Sequence, residues 1–256
     1  MLIYACVLVL APLSALLVGA CSEGLGGLFA APADPAFLRA LWLTVAIGAV
    51  VLAVHAASGT VLAWVLVRHQ FRGKRWLDAA VNLPFAVSPV VVGYMLFLLF
   101  GRSGILSPLA QRLGVQVVFA VPGMVLATLF VTLPFTVREL VPVLRAFGTD
   151  QEEAASTLGA SGWQTFRSVT LPALRWGLVY GMTLTFARAL GEFGAVLVVG
   201  GGIEGRTETA TLYVYRALDE RQYVAAYSAA LVLGLMSLLL VAATELLKHR
   251  TPRAEE

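Results

Sequence analysis

An arginine and a glutamate four positions apart, Arg188 and Glu192, sit in an otherwise apolar run. On a helix that spacing puts both side chains on one face. Charges inside a hydrocarbon layer are costly, so such groups face a protein interior or a water-filled path. Two chemistries fit. Arg188 could attract a passing anion while Glu192 tunes it, or the two could form an ion pair that orients the helix. The second is favoured, because a paired arginine has less charge to offer and a carboxylate repels an anion. Asn82 and Ser88, in a different apolar run, could donate hydrogen bonds to an oxyanion. Ser88 could equally bond back to its own helix. These four are the candidate pathway residues.

The sequence offers no set with the form of an enzyme centre. It has no H-E-x-x-H, no paired aspartates in an apolar run, and no serine beside a histidine base. The phosphate loop G-x-x-x-x-G-K-[ST] is missing too, so ATP chemistry is not expected of this chain. Gly200-Gly201-Gly202 lacks the lysine and reads as a flexible exit turn. His55, His69 and His249 are far apart, which argues against a metal site, and His55 reads as a satisfied helix histidine. Cys6 and Cys21 lie in or beside the first apolar run and read as packing. No catalytic residue, metal or bound cofactor is expected.

These side chains must be positioned by membrane helices. The 256 residues are 59% hydrophobic and 13% charged, with a mean hydropathy of +0.84. Soluble domains carry about one quarter charged residues, so much of this surface must face lipid. The net charge of +3, without a basic stripe, gives no reason to expect nucleic acid. A span needs about 20 mostly apolar residues. Six stretches qualify, at about 2–20, 38–67, 79–100, 118–144, 175–200 and 223–247. The expectation is an all-α integral membrane protein with 1–256 as a single transmembrane domain. Residues 1–20 contain no Lys or Arg, so they lack the positive region of a cleaved signal and read as a first span. Pro84, Pro89, Pro122, Pro134 and Pro142 are expected to bend their spans, as static kinks or as gates.

With both termini on the cytoplasmic side, eleven of the 18 Lys and Arg residues fall in inner segments and six in outer ones. The inner set is Arg68, Arg72, Lys74, Arg75, Arg138, Arg145, Arg167, Arg175, Lys248, Arg250 and Arg253. That bias sets the expected orientation.

The longest inner segment, about 146–174, predicts a compact helix-turn-helix knob. Asp150 with Glu153, and Ser161 with Gln164, have capping-box spacing. Gly159 stands where a helix ends in the left-handed region. Two short helices are expected, about 151–158 and 162–169, with Trp163, Phe166 and Val169 giving the second an apolar side. Arg138 and Glu139, at the inner end of the fourth span, read as interfacial.

Glu153-Ala154-Ala155, Gly159 and Leu171-Pro172 together resemble the EAA loop of ABC importer permeases. Asn82 to Val91, Phe130 to Phe135, Arg138 to Pro142, the knob, and Ala187 to Val196 are similar to sulfate/thiosulfate permeases of the W type. Molybdate and tungstate permeases share much of this pattern. The resemblance implies a type I ABC importer permease fold in a bacterial inner membrane, with six transmembrane helices and a cytoplasmic coupling helix. It further implies that Glu153, Ala154, Ala155, Gly159, Leu171 and Pro172 couple the path to a separate ATPase dimer, on which ATP and Mg would sit. A T-type second permease and an extracytoplasmic sulfate-binding protein complete the implied assembly. A molybdate/tungstate permease is the nearest alternative. An ion-gradient-driven secondary anion transporter is the alternative of another class, and it would need neither ATPase nor knob.

Overall fold

The structure is a computed structural model that describes residues 2–249, with no side-chain description for residues 2–6, 8, 9 and 247–249. The expected inner cations Lys248, Arg250 and Arg253 therefore lie outside the described side chains. Every regular element among the described residues is helical.

Helix α1 spans Leu2–Ala20, and a short 3-10 turn follows at Leu25–Phe29. Helix α2, Pro35–Arg68, is the longest element. Asp34 starts it: its carboxylate accepts the Ala36 N–H at 2.8 Å, and Pro35 occupies the first turn. An N-cap carboxylate satisfies one of the free first-turn donors, and proline there costs no hydrogen bond.

The expected third span is two helices, α3 at Lys74–Ala86 and α4 at Pro89–Phe100, which meet at 111°. The cause is Pro89, which disfavours helical backbone at the residue before it. Ser88 accordingly has φ −60° and ψ 136° and becomes the N-cap of α4. Pro89 thus opens a helix and does not kink one.

Helix α5 covers Ser107–Arg112 and α6 covers Val121–Phe147. Pro122 lies in the first turn of α6, so only Pro134 and Pro142 are interior to it. The knob follows, with α7 at Asp150–Thr157 and α8 at Gly162–Thr165. A π turn at Phe166–Thr170 runs from α8 into α9, Leu171–Leu190. The expected fifth span is also broken: α10, Gly194–Gly200, departs from α9 by 58°. Helix α11, Ala210–Asp219, lies between the expected fifth and sixth spans, where no helix is expected from hydropathy. Helix α12 covers Tyr223–His249.

Three of the described helices, α2, α6 and α12, are each long and apolar enough to cross a membrane, and the two bent pairs bring that number to five. The described apolar part of α1, Leu10–Ala20, is shorter.

Helices α2, α6 and α9 form the centre of the bundle. One apolar cluster joins Ala63 and Leu66 to Val137, Leu140, Leu144 and Leu174. Two buried polar contacts cross the same seam. His55 Nε2 lies 3.0 Å from Thr132 Oγ1, and Thr136 and Thr185 hydroxyls are 2.8 Å apart. His55 is therefore partnered at Nε2. A second cluster packs α4 and α10 against α6 through Val92, Val131, Ala195, Val196 and Val199. Here α4 and α10 approach closely enough that a Cβ on Gly93 would stand 2.6 Å from the Ala195 carbonyl oxygen.

Candidate functional site

The knob is held by Glu152, the neighbour of the motif residue Glu153 and absent from the expected coupling set. Arg68, the last residue of α2, places Nε 2.9 Å from Glu152 Oε2, and both side chains are largely buried. Arg68 Nη2 also donates to the Gly148 carbonyl at 2.6 Å, at the end of α6. Thr170 Oγ1 donates to Glu152 Oε1 at 2.7 Å from the knob's exit. One carboxylate thereby ties α2, the end of α6 and the entry to α9 into a single joint. Aromatic contacts reinforce it, with Trp64 of α2 set 6.5 Å from Phe166, and Phe166 stacked 5.7 Å from Trp163.

The other knob residues face outward or hold backbone shape. Glu153 and Ala154 are exposed and Ala155 is half-buried. The carbonyl of Ala155 accepts the Ala160 N–H at 3.0 Å, and that of Ala154 accepts the Leu158 N–H at 3.2 Å. These bonds close the turn in which Gly159 has φ +88°. That left-handed conformation suits glycine because it has no Cβ. Ser161 and Gln164 form the expected capping box. The other expected box does not form: Asp150 lies inside α7, and Thr149 is the N-cap with no side-chain bond. Asp150, Glu152 and Glu153 instead crowd the first turn of α7, where negative charge suits the helix dipole. Leu171 is half-buried and Pro172 exposed, together opening α9. Leu158 and Trp163, 89% and 69% exposed, leave an apolar tip on the knob.

Arg188 and Glu192 do meet. Arg188 Nη1 is 2.8 Å from Glu192 Oε2, and the Glu192 side chain is 2% exposed. The structure also supplies a local reason for the glutamate. Glu192 lies in the break between α9 and α10, and its Oε1 accepts the Ala195 N–H at 3.0 Å. It thus satisfies a free donor in the first turn of α10, where negative charge is favoured. The break is stitched further by Thr211 Oγ1, which donates to the Glu192 carbonyl at 2.6 Å.

Asn82 and Ser88 do not join this pair among the described contacts. Asn82 Oδ1 accepts from Arg138 Nε at 2.7 Å, and Arg138 Nη2 lies 2.8 Å from Asp78 Oδ1. Arg138 is therefore an inter-helix tie between α6 and α3. Ser88 is exposed at the elbow, where its carbonyl accepts the Val92 N–H at 3.1 Å.

Beyond the break, the glycine run and the residues after it form a second polar knot. Thr207 Oγ1 donates to the Gly200 carbonyl at 2.7 Å and accepts the Ile203 N–H at 3.0 Å. Gly201 and Gly202 have φ +75° and +60°, so the glycine run is a bonded turn. Glu208, almost fully buried, accepts from Arg216 Nε at 2.6 Å. Tyr213 donates its hydroxyl to Asp34 at 2.6 Å and so fastens α11 to the start of α2. Burial, then the Asp34 hydrogen bond, push the Tyr213 phenol well above its ordinary range. No apolar periodicity betrays such a knot in advance, though Arg206-Thr207-Glu208-Thr209 is dense in hydrogen-bonding groups.

Comparison with known proteins places this geometry. Residues 49–253 match the family described as binding-protein-dependent transport system inner membrane component. A Synechococcus elongatus protein named sulfate transport system permease protein CysW is 46% identical, over 98% of this chain and 88% of its own length. The sulfate transport system permease protein CysT of Escherichia coli K12 is 36% identical, over 98% and 91%. Among solved structures, a bacterial alginate ABC transporter in complex with an alginate-bound periplasmic protein superposes with a TM-score of 0.78 at 16% identity, covering 97% of this chain and 91% of its own.

Proposed function

The chain belongs to the binding-protein-dependent transport system inner membrane components, and from that premise we propose that it is the W-type permease subunit of an ATP-driven sulfate/thiosulfate importer. The observation that carries the substrate is the 46% identity, over nearly the whole chain, to a protein named for sulfate transport. The likeness to the alginate transporter supports the type I permease fold alone, since identity there is 16%.

On this reading the membrane is crossed six times. Helices α1, α2, α6 and α12 and the two bent pairs make the crossings, with the knob and both termini in the cytoplasm. The knob docks on a separate ATPase dimer, where ATP and Mg are bound. Its outward residues Glu153, Ala154 and Leu158 meet that partner, while Glu152 transmits the movement inward. A helix docked in a moving groove turns domain closure into rocking of the helices attached to it. The Arg68–Glu152 joint supports this, because it links the knob to the end of α2 at 2.9 Å.

A paralogous T-type permease completes the path. Similarity of the chain to both a CysW and a CysT relative supports two such subunits. An extracytoplasmic binding protein delivers the anion, a reading supported by the family's description as binding-protein-dependent transport. Such a protein makes the selective contacts. The path itself needs only weak attraction, since tight binding would slow release. Asn82, Ser88, Arg188 and Glu192 remain its candidate lining, and the geometry supports positioning roles for Asn82 and Glu192 ahead of contact with the anion. Reconstitution of this chain with a T-type permease and the ATPase in proteoliposomes tests the assignment. Binding-protein-dependent, ATP-driven sulfate accumulation is expected. Accumulation that follows an ion gradient without ATP would overturn it.

A further inference from the structure

An open pocket of about 740 Å³ lies between the end of α2, the 69–73 link, the first turns of α3 and the last turns of α6. Its charged lining is Lys74, Arg75, Arg138 and Arg145 against a single carboxylate, Asp78. That carboxylate is already engaged by Arg138, whose Nη2 is 2.8 Å from it, and Arg138 Nε is taken by Asn82. Lys74, Arg75 and Arg145 form no ion pair or side-chain hydrogen bond with any described residue.

Three uncompensated cations from two helices thus line one space. Two of them occupy the first turn of α3, which holds no acidic residue. Positive charge there opposes the helix dipole, so the arrangement costs stability that a bound anion would return. The remaining lining divides between polar Gln70 and apolar Leu66, Phe71, Trp76 and Val141. Phe71 and Trp76 are 43% and 82% exposed, as aromatic side chains at a membrane–water boundary often are. The pocket opens at the knob's end of the bundle, since Arg145 stands three residues before Gly148, which Arg68 binds. Basic pockets between membrane helices on the cytoplasmic side suit lipid headgroups.

We propose that this pocket binds a tetrahedral oxyanion, which is either the headgroup phosphate of an anionic phospholipid or the transported anion held at the exit. The second source rests on the proposed function and the first does not.

The assembled transporter in phosphatidylcholine nanodiscs provides the test, with emission from Trp76 read as the difference between wild type and Trp76→Phe. In one arm, brominated phosphatidylglycerol is compared with brominated phosphatidylcholine at equal mole fraction. In the other, inorganic sulfate is titrated against chloride at constant ionic strength. A preferential quench by phosphatidylglycerol, or a saturable response to sulfate, is expected, and the responding arm names the source. Lys74→Gln, Arg75→Gln and Arg145→Gln should each weaken the response about fivefold, and about 100-fold together. The pair Arg75→Lys and Arg145→Lys should retain it. Arg138 and Asp78 stay intact throughout, so the tie between α3 and α6 is kept. Silence in both arms, or a response that survives the triple glutamine variant, would overturn the proposal. Sulfate uptake is measured separately, so failure of the transport assignment would not be mistaken for failure of the pocket.

Discussion

Arg68 and Glu152, 84 positions apart in sequence, meet with Nε 2.9 Å from Oε2 at the joint between the bundle and its knob. The contact is mostly buried, and the same carboxylate accepts from Thr170. Removing one partner of a buried pair leaves an uncompensated charge, at a cost of about 3–5 kcal/mol. Glu152→Ala should therefore loosen the knob and lower uptake at least tenfold at normal membrane abundance. Glu153→Ala should leave amide exchange in the knob unchanged, because Glu153 is exposed. Equal protection of the knob in Glu152→Ala and wild type, read by hydrogen exchange, would count against the joint.

Gly159 gives a second test that separates backbone from packing. Its φ is +88°, and a Cβ built there meets nothing within 4 Å. Any effect of substitution must then come from the left-handed backbone, at about 1–2 kcal/mol for a residue with a Cβ. Gly159→Val should impair transport while the spans insert normally, and Gly159→Asn should be milder, since asparagine tolerates this conformation. Full transport by a well-expressed Gly159→Val protein would contradict the coupling role.

Which parts of this joint the sequence reveals follows from how local each signal is. The turn at Gly159 and the capping box of Ser161 and Gln164 are read from neighbours within four positions, and both form. Glu152 is invisible by such rules, because its partners Arg68 and Thr170 lie 84 and 18 positions away. The two breaks divide in the same way. Ser88-Pro89 is a local signal for interruption that hydropathy over 79–100 overrides. The break at 191–193 has no proline, and it depends on Glu192 finding Ala195 and Thr211. Helix α11 escaped notice because a ten-residue amphipathic helix is too short to register as a span.

The role of Glu192 can be divided by charge and hydrogen bonding. Glu192→Gln keeps an oxygen for the Ala195 N–H but unpairs Arg188. Arg188→Gln leaves a buried carboxylate unpaired, so it should be the more destabilising of the two. The double variant should recover much of the loss, because no lone charge remains. Recovery of both thermal stability and uptake in the double variant is the result expected of an orienting ion pair. Recovery of stability without uptake would assign Arg188 to the anion path instead.

Tyr213 carries a pH dependence outside the spans. Its phenol titrates above its ordinary range because it is buried and donates to Asp34. The folded state therefore keeps a proton that the unfolded chain loses above about pH 10. By linkage, the stabilisation is fully present below that pH and is lost progressively as pH rises from there through the raised pKa of the folded state. Tyr213→Phe should be less stable at pH 7, for want of the Asp34 bond, and should lose less on going to pH 11. An identical alkaline loss in the two proteins would remove Tyr213 from this role.

Radiolabelled sulfate uptake in cells with and without the chain, with excess unlabelled molybdate as competitor, tests most directly whether this chain forms the path of an ATP-driven sulfate importer. The expected result is uptake that requires both the chain and ATP and that resists molybdate. Uptake unchanged by deletion of the chain, or abolished by molybdate, would contradict the assignment to sulfate.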